Sequence, residues 1–231
     1  TKNRQHLLEF GKNLVGKHGF LSNFDLIETK DEEIQFSKHQ QSVKDELSKE
    51  FQGIFSRKQT VSDIYGGIET IAQTYGFSGV EPNTVMLNWA KKGHDSKRFV
   101  HMLNTISNLD LNIIMMDYDR SVGFGKYETI DIWWRGGGHN GNFALSLTKF
   151  LWASDQWRNA KLRLLIVNPN NDAREKIERD TNKILENIRI NAEVKVINNQ
   201  IERRTFYKII RDESINTDLI IMGIPMLKQG A

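Results

Sequence analysis

The sequence predicts an α/β protein built around a parallel β-sheet. A short apolar run at Ile130–Trp134 is followed by apolar residues at helical spacing between residues 143 and 151, and then by a second apolar run at Leu162–Val167. Each run is too short for a helix. A helical crossover returns the chain to the end at which it started, so the two runs can pair only in parallel. Asp131–Pro169 is therefore predicted to be a central β-α-β unit, with Leu162–Val167 buried on both faces.

The residues before this unit predict further helices and strands in alternation. Continuous apolar runs, rather than alternating ones, are typical of strands that are covered on both faces. Asp95 can cap a helix whose Phe99, Met102, Leu103 and Ile106 face the core. The other predicted elements are a helix at His6–Leu14, a strand at Phe20–Ile27, a charge-rich surface helix at Glu32–Phe55, an amphipathic helix at Thr60–Tyr75 capped by Thr60, and strands at Asn83–Trp89 and Leu111–Tyr118.

The residues after the central unit repeat the pattern. Glycines punctuate Ser121–Tyr127, which has no periodicity, so it is predicted to be the boundary between two similar α/β subdomains, residues 1–124 and 125–231. Charged and apolar residues alternate at Glu193–Ile197, which is typical of a strand near a sheet edge. The remaining predicted elements are a helix from a cap at Asp172 to Ile188, a helix at Ile201–Glu213 and a strand at Leu219–Gly223.

Composition excludes several classes of function. With 32 basic and 29 acidic residues, the net charge of +3 does not indicate a nucleic-acid partner, although it permits an anionic membrane surface nearby. The chain has no cysteine, which excludes disulfides, thiolate catalysis and cysteine-ligated zinc and fits a cytosolic compartment. No run approaches the roughly 18 apolar residues of a membrane span, and the start TKNRQHLLEF lacks a signal-peptide core. We expect a soluble chain that is one piece of a larger protein.

Several stretches, in the same order along the chain, resemble a known family. The chain is similar to the cytosolic C-terminal domain of the cation-chloride cotransporters, the sodium- or potassium-coupled chloride transporters. The stretches that carry this resemblance are PNTVMLNW at Pro82–Trp89, IDIWW at Ile130–Trp134 with its glycine cluster, LTKFL at Leu147–Leu151, Trp157 with LRLLIV at Leu162–Val167, and RINAEVKV at Arg189–Val196.

The resemblance implies a fold, a location and partners. The family domain consists of two α/β halves that resemble universal stress proteins, and it follows the last membrane helix at the cytoplasmic face of the plasma membrane. The resemblance also implies a homodimer, contact with the transmembrane domain of the same polypeptide, and a role in assembly and regulation. Many eukaryotic members carry a long, often phosphorylated insertion where Ile197 here runs almost directly into Ile201. The chain therefore resembles compact microbial members, and the family domain usually continues beyond the position of Ala231.

The glycine cluster Gly136–Gly138 is the strongest candidate for a binding site. It lies between a strand and a helix, where backbone N–H groups could hold a phosphate. Its spacing fits neither a P-loop nor a dinucleotide fingerprint, and the Gly-Ser or Gly-Thr ending of the universal-stress-protein pattern is missing. A plain tight turn is the favoured interpretation, and weak nucleotide binding remains an alternative.

The other candidates favour structural roles. Asp117 and Asp119 end a predicted strand without a third ligand nearby in sequence, which favours a turn over a metal site. The scattered histidines His94, His101 and His139 favour surface positions. Trp133, Trp134, Trp152 and Trp157 are expected to pack the core.

These patterns predict no catalytic residue, no metal site and no cofactor. The function predicted is a non-catalytic regulatory and dimerisation domain of a cation-coupled chloride cotransporter. The alternative is a nucleotide-binding sensor domain of universal-stress type.

Overall fold

The computed structural model describes residues 5–16, 19–29, 54–76, 80–89, 95–135, 138–169 and 174–224. The chain divides into two compact units, Thr1–Ser121 and Val122–Ala231. The division falls after Ser121 rather than after residue 124, because Phe124 packs against Tyr127 and Trp157 of the second unit, with ring centroids 6.2 and 6.3 Å away. Among the described residues, no helix is long and apolar enough to cross a membrane.

The first unit contains two parallel strand pairs. Strand β1 pairs with β2, with Leu21 opposite Ile54, and strand β3 pairs with β4, with Thr84 opposite Asn112. Helix α1 contacts one strand of each pair, since a Cβ added at Gly11 would lie 2.9 Å from Leu21 and 3.1 Å from Met86. The described elements are α1 (Gln5–Val15), β1 (Leu21–Glu28), β2 (Ile54–Val61), α2 (Ile64–Thr74), β3 (Thr84–Asn88), α3 (Ser96–Ser107) and β4 (Asn112–Met116).

Helix α3 follows its sequence pattern. The Asp95 carboxylate caps it by accepting hydrogen bonds from the backbone N–H groups of Lys97 and Arg98 at 3.0 and 3.1 Å. Met102 and Ile106 are fully buried, as expected from their spacing. The predicted cap and the predicted core face of this helix are both confirmed.

Strand β2 was not predicted, and because of it the next helix begins later than predicted. Thr60 lies in β2, and Asp63 is the N-cap of α2, where its carboxylate accepts a hydrogen bond from the N–H of Gly66 at 2.7 Å. The prediction of Thr60 as cap was therefore wrong, because Thr60 and Val61 both belong to the strand. The helix predicted at Glu32–Phe55 lies outside the described residues except for Ile54 and Phe55, which begin β2.

The strands of the first unit are less covered than their apolar sequences predict. All five residues of β3 are only half-buried, and in β4 only Met116 is fully buried. The expectation that Leu111–Tyr118 is a buried strand therefore holds only at its carboxyl end. Apolar composition alone does not decide how much of a strand the neighbouring elements cover.

The second unit is a four-stranded parallel sheet with strand order β7-β6-β5-β8. The pairing of Ile130 with Leu162 places β5 beside β6 in parallel, so the predicted β-α-β unit is confirmed. The edge position predicted for Glu193–Ile197 is also confirmed. The elements are β5 (Thr129–Trp133), α4 (His139–Trp152), β6 (Lys161–Asn168), α5 (Arg174–Asn187), β7 (Glu193–Asn198), α6 (Phe206–Ser214) and β8 (Leu219–Met222).

Helices cover both faces of this sheet. On one face Trp133, Leu165 and Ile197 form a core with Ile209 of α6. Successive strand residues point to opposite faces, so the fully buried Ile132 and Leu164 lie on the other face. Helices α4 and α5 cover that face, and their buried residues include Leu145, Leu151 and Leu185. The fold is thus α/β, with parallel sheets flanked by helices, as predicted.

Two details of the second unit differ from the expectations. Ile184, an apolar residue of the helix predicted between Asp172 and Ile188, was expected to be buried and is 37% exposed. Helix α6 begins at Phe206 rather than at residue 201, because Thr205 is its N-cap, accepting a hydrogen bond from the N–H of Lys208 at 3.4 Å. The cap predicted at Asp172 lies outside the described residues.

Candidate functional site

The crevice between β5 and β8 is where an α/β sheet of this topology usually binds a ligand. The chain leaves β5 towards β6 on one side, whereas β8 is added on the other side after β7. Ligands of open α/β sheets bind at the carboxyl ends of the strands where the order reverses in this way. The described residues that follow the two strands here are Trp134 and Arg135 after β5, Gly138–Asn140 at the start of α4, and Gly223 and Ile224 after β8.

A side chain of α4 joins the two sides of this crevice. Gly138 is the N-cap of α4, with extended backbone (φ −147°, ψ 178°) and no side-chain cap. Two residues on, the Asn140 Nδ2 donates a hydrogen bond to the carbonyl oxygen of Ile224 at 2.8 Å. A Cβ added at Gly223 would lie only 2.8 Å from that of Asn140. The side chain of Asn140 therefore bridges the end of β8 and the start of α4.

The ionisable groups of the crevice are few. Among its described residues, only Arg135 and His139 can carry a charge, and both are exposed. The guanidinium of Arg135 lies 5.0 Å from the centre of the Phe206 ring. Helix amides and one guanidinium could attract an anion, but these residues supply no carboxylate base or hydroxyl nucleophile. Gly136 and Gly137 lie outside the described residues.

Two depressions on the described surface lie away from the residues of the crevice. One of about 480 Å³ is lined by six side chains of α5 alone, so it is an open helix surface. Another of about 430 Å³ is lined by Pro169, Asn199, Gln200 and Arg203, at the carboxyl ends of β6 and β7. Neither has the enclosed, mostly apolar walls of a small-molecule site.

The candidate acids and histidines of the sequence do not meet in one place. Asp119 accepts hydrogen bonds from the hydroxyl and the N–H of Ser121 at 2.6 and 2.8 Å, which hold the pKa of its carboxyl below its usual value. Asp117 is exposed nearby, and His101 lies on α3 with its Nε2 3.8 Å from Glu69. Over the described ranges, no group of three potential metal ligands is found. His94 lies outside them.

The tryptophans of the second unit are packing residues. Trp133, Trp134 and Trp157 are buried, and the Trp152 Nε1 donates to the carbonyl oxygen of Ala160 at 2.8 Å. Trp157 also meets the ring of Tyr127 edge-on, with centroids 5.0 Å apart. None of these rings is presented as an open stacking surface.

Sequence analysis missed a buried charge network beneath α6. Asp131, in the middle of β5, is 0% exposed. Arg163 of β6 clamps its carboxylate with two hydrogen bonds, at 2.8 Å from Nε and 2.6 Å from Nη2. The hydroxyls of Ser214 and Thr217 each donate to the same carboxylate at 2.6 Å. Four hydrogen bonds therefore reach this buried carboxylate, as a buried charged group requires.

The network ties three strands to the end of α6. Arg163 also donates to the carbonyl oxygen of Glu213 at 3.1 Å, and the hydrogen bond with Asp131 raises its pKa above the usual value. The Glu213 carboxylate pairs with Lys195 of β7 at 2.6 Å. The Trp133 Nε1 donates to the hydroxyl of Ser214 at 3.3 Å. Because the partners come from three strands and from the end of α6, the network fixes where α6 lies on the sheet.

A second unpredicted carboxylate, Asp218, organises the start of the second unit. Its oxygens accept hydrogen bonds from the N–H groups of Lys126, Glu128 and Thr129 at 3.0, 2.8 and 2.9 Å. Gly125 has a left-handed φ of 59°, and a side chain there would collide with the Asp218 carboxylate. The anion-binding concavity formed by this glycine-rich segment is thus filled by a side chain of the same unit.

The stability of the folded chain should depend on pH through the ionisation of Asp218. Burial raises the pKa of its carboxyl, but the hydrogen bonds from Lys126, Glu128 and Thr129 outweigh burial, so the pKa lies below its ordinary value. The ionised form therefore stabilises the folded chain above the unfolded-state pKa of about 4, and this contribution is lost as pH falls through the lower folded-state pKa. We expect Asp218→Asn to lower the urea midpoint at about pH 7 and to differ much less from the parent at about pH 3.

The exposed Asp155 provides the matched control for this titration. Asp155→Asn removes the same charge without removing a hydrogen-bonded carboxylate, so its midpoint should follow that of the parent at both pH values. A deficit of Asp218→Asn that is equal at both pH values would show that the side-chain shape, and not the charge, matters.

Comparison with known proteins identifies the fold. No family model matches the chain. Its structure is similar to the cytoplasmic domain of a prokaryotic cation chloride cotransporter, with a TM-score of 0.62 and 16% identity over 85% of this chain and 74% of that one. It is also similar to a universal stress protein from Archaeoglobus fulgidus, with a TM-score of 0.57 and 15% identity over 97% of this chain and 82% of that one. The chain therefore has a universal-stress-like α/β fold.

Proposed function

We propose that this chain is the cytosolic regulatory and dimerisation domain of a cation-coupled chloride cotransporter and has no catalytic chemistry of its own. The observation that carries this proposal is the structural similarity, over 85% of the chain, to the cytoplasmic domain of a prokaryotic cation chloride cotransporter. The proposed location is the cytoplasmic face of the plasma membrane.

The proposed partners are the transmembrane domain of the same polypeptide and a second copy of the chain. Closed two-fold dimers are the commonest soluble assembly and use the same surface on both copies. Attachment to two membrane domains would raise the effective concentration to roughly millimolar, so a weak intrinsic contact between the two domains is sufficient. The chain alone should therefore dimerise weakly in sedimentation experiments.

The proposal is tested on the full-length protein that contains this chain, reconstituted in vesicles. Deleting the domain should reduce the amount or rate of chloride flux and leave the cation preference unchanged, because the domain contributes no ion ligand. Tracer flux with each cation in turn measures both quantities. A changed cation preference, or normal flux together with normal dimer content, would contradict the proposal.

A nucleotide-binding sensor is the second candidate, supported by the similarity to a universal stress protein. Calorimetry of the whole chain with ATP separates the two candidates. The cotransporter proposal predicts weak binding or none, since the glycines after β5 follow neither a P-loop nor the universal-stress-protein pattern. Sub-micromolar ATP binding that Arg135→Ala abolishes would favour the sensor instead.

A further inference from the structure

The surface around α6 concentrates exposed apolar side chains. Three large apolar residues are the most exposed of their kind among the described residues, namely Ile201 at 87%, Tyr207 at 82% and Ile215 at 73%. Single exposed apolar residues are ordinary on soluble proteins. Here the three fall within fifteen consecutive residues, on α6 and the turn before it, so this concentration calls for a physical explanation.

Basic side chains share the same face of the helix. Lys208, Arg211 and Ile215 follow one another at the spacing i, i+3 and i+7, which places them on one stripe of α6. This stripe lies opposite the fully buried Ile209, which packs against the sheet. Tyr207 is four residues before Arg211 and borders the stripe. The outward side of α6 is therefore both cationic and apolar.

The turn before α6 is held beside the helix. Asn199 fixes it with two hydrogen bonds, accepting from the N–H of Arg204 at 2.8 Å and donating to its carbonyl oxygen at 2.9 Å. Arg204 pairs with Glu202 at 2.7 Å and reaches Asp212 of α6 at 3.4 Å. Ile201 and Arg203, in the same turn, thus lie at the N-terminal end of the α6 surface. We call Ile201, Arg203, Tyr207, Lys208, Arg211 and Ile215 the outer α6 surface.

The basic residues of this region outnumber its acidic ones, so its net charge is positive. Its acidic residues Glu202 and Asp212 are both engaged with Arg204. Arg203, Lys208 and Arg211 remain to face an outside partner, although Arg211 has a long contact of 3.9 Å with Asp212. A partner of the outer α6 surface should therefore be negatively charged and should also accept apolar side chains.

We propose that the outer α6 surface binds an anionic lipid bilayer. Apolar side chains that protrude separately between cations suit a headgroup layer, where they can insert between lipids while the cations meet the phosphates. A folded protein partner would instead favour a contiguous apolar patch with a complementary shape, and charges interrupt the apolar residues here. This inference rests on the described surface and does not depend on the proposed role in a cotransporter.

Vesicle sedimentation tests the proposal on the whole chain. The chain should bind vesicles of phosphatidylcholine mixed with phosphatidylserine, and bind vesicles of phosphatidylcholine alone much less. Lys208→Glu combined with Arg211→Glu should reduce binding by at least about tenfold, since each basic residue near an anionic surface contributes substantially to binding. Tyr207→Ser combined with Ile215→Ser should reduce binding several-fold, and should do so even at high salt, where charge is screened.

Arg179→Glu combined with Lys183→Glu is the matched control, because these exposed residues of α5 give the same change in net charge. This control should bind vesicles nearly as well as the parent. Equal binding to neutral and anionic vesicles, no binding to either, or an equal loss in the control would overturn the proposal. Sedimentation of the same variants without lipid tests whether a second copy of the chain binds this surface instead. If the parent chain is a dimer and Lys208→Glu combined with Arg211→Glu dissociates it, the surface is a contact between copies. That result would also overturn the lipid proposal.

Discussion

Leu164→Asp should unfold most of the protein at room temperature. Leu164 is 0% exposed and lies in the middle strand pair of the second unit, between Ile132 of β5 and Val194 of β7. The carboxylate would be buried on the face covered by α4 and α5, next to apolar neighbours on both adjacent strands. An unpaired buried charge costs more than about 4 kcal/mol, against a total stability of about 5–15 kcal/mol for a typical domain. Urea titration followed by circular dichroism measures the loss.

The neighbouring position offers a sharper comparison. An aspartate at Leu165 is also expected to be costly, because Leu165 is 0% exposed. Its register partner, however, is Lys195, whose ammonium pairs with Glu213 from a half-exposed position. Lys195 could turn to the new carboxylate, so Leu165→Asp should lose less stability than Leu164→Asp. Phe150→Asp, at an exposed position of α4, is the control and should cost no more than about 1 kcal/mol. A Leu164→Asp protein as stable as this control would contradict the placement of the sheet.

The strength of the sequence signal explains which elements were predicted. The β-α-β unit was predicted because its two strands are almost uninterrupted apolar runs, and only a parallel pairing satisfies the crossover between them. Strand β2 gave no such signal, since Arg57 and Lys58 lie in its middle and none of its residues is fully buried. Its existence depends on pairing with β1, which lies more than twenty residues earlier. A pairing of this kind is not encoded by local periodicity.

Part of the buried network, the pair of Asp131 and Arg163, could have been predicted from the sequence. Each of the two apolar runs contains one charge, Asp131 in IDIWW and Arg163 in LRLLIV. Pairing the runs in parallel brings those two residues side by side, as the register shows. A single charge inside a buried strand needs a partner, so the pair could have been proposed with the β-α-β unit. The contacts of the Ser214 and Thr217 hydroxyls could not have been proposed from sequence, because they depend on how α6 docks on the sheet.

The crevice depends on contacts that the sequence alone does not show. The glycines after β5 predicted a turn, and the one of them that is described, Gly138, is the N-cap of α4 with extended backbone. What sequence could not show is the contact of Asn140 with Ile224, residues that are 84 positions apart. Proximity of this kind arises only when β8 is added beside β5. The same addition brings Asp218 to the segment that begins the second unit.

Asp131→Ala should lower the free energy of unfolding by about 3–5 kcal/mol, the range for breaking a buried ion pair from one side. Most of this loss of stability arises because the groups left behind are unpaired. The Arg163 guanidinium and the hydroxyls of Ser214 and Thr217 lose their common acceptor. If so, removing the cation as well should restore part of the stability, and Asp131→Ala combined with Arg163→Met should be more stable than Asp131→Ala alone. Urea midpoints of the two variants give this comparison directly.

The ion pair of Lys195 and Glu213 provides the contrast on the same face of the sheet. It is shorter than many surface pairs, at 2.6 Å, but Lys195 is 44% exposed. Glu213→Gln should therefore cost no more than about 1 kcal/mol. If Asp131→Ala costs as little as Glu213→Gln, or if adding Arg163→Met makes it worse, the buried charges do not hold α6 on the sheet. The apolar contacts of Trp133, Leu165 and Ile209 would then account for its position.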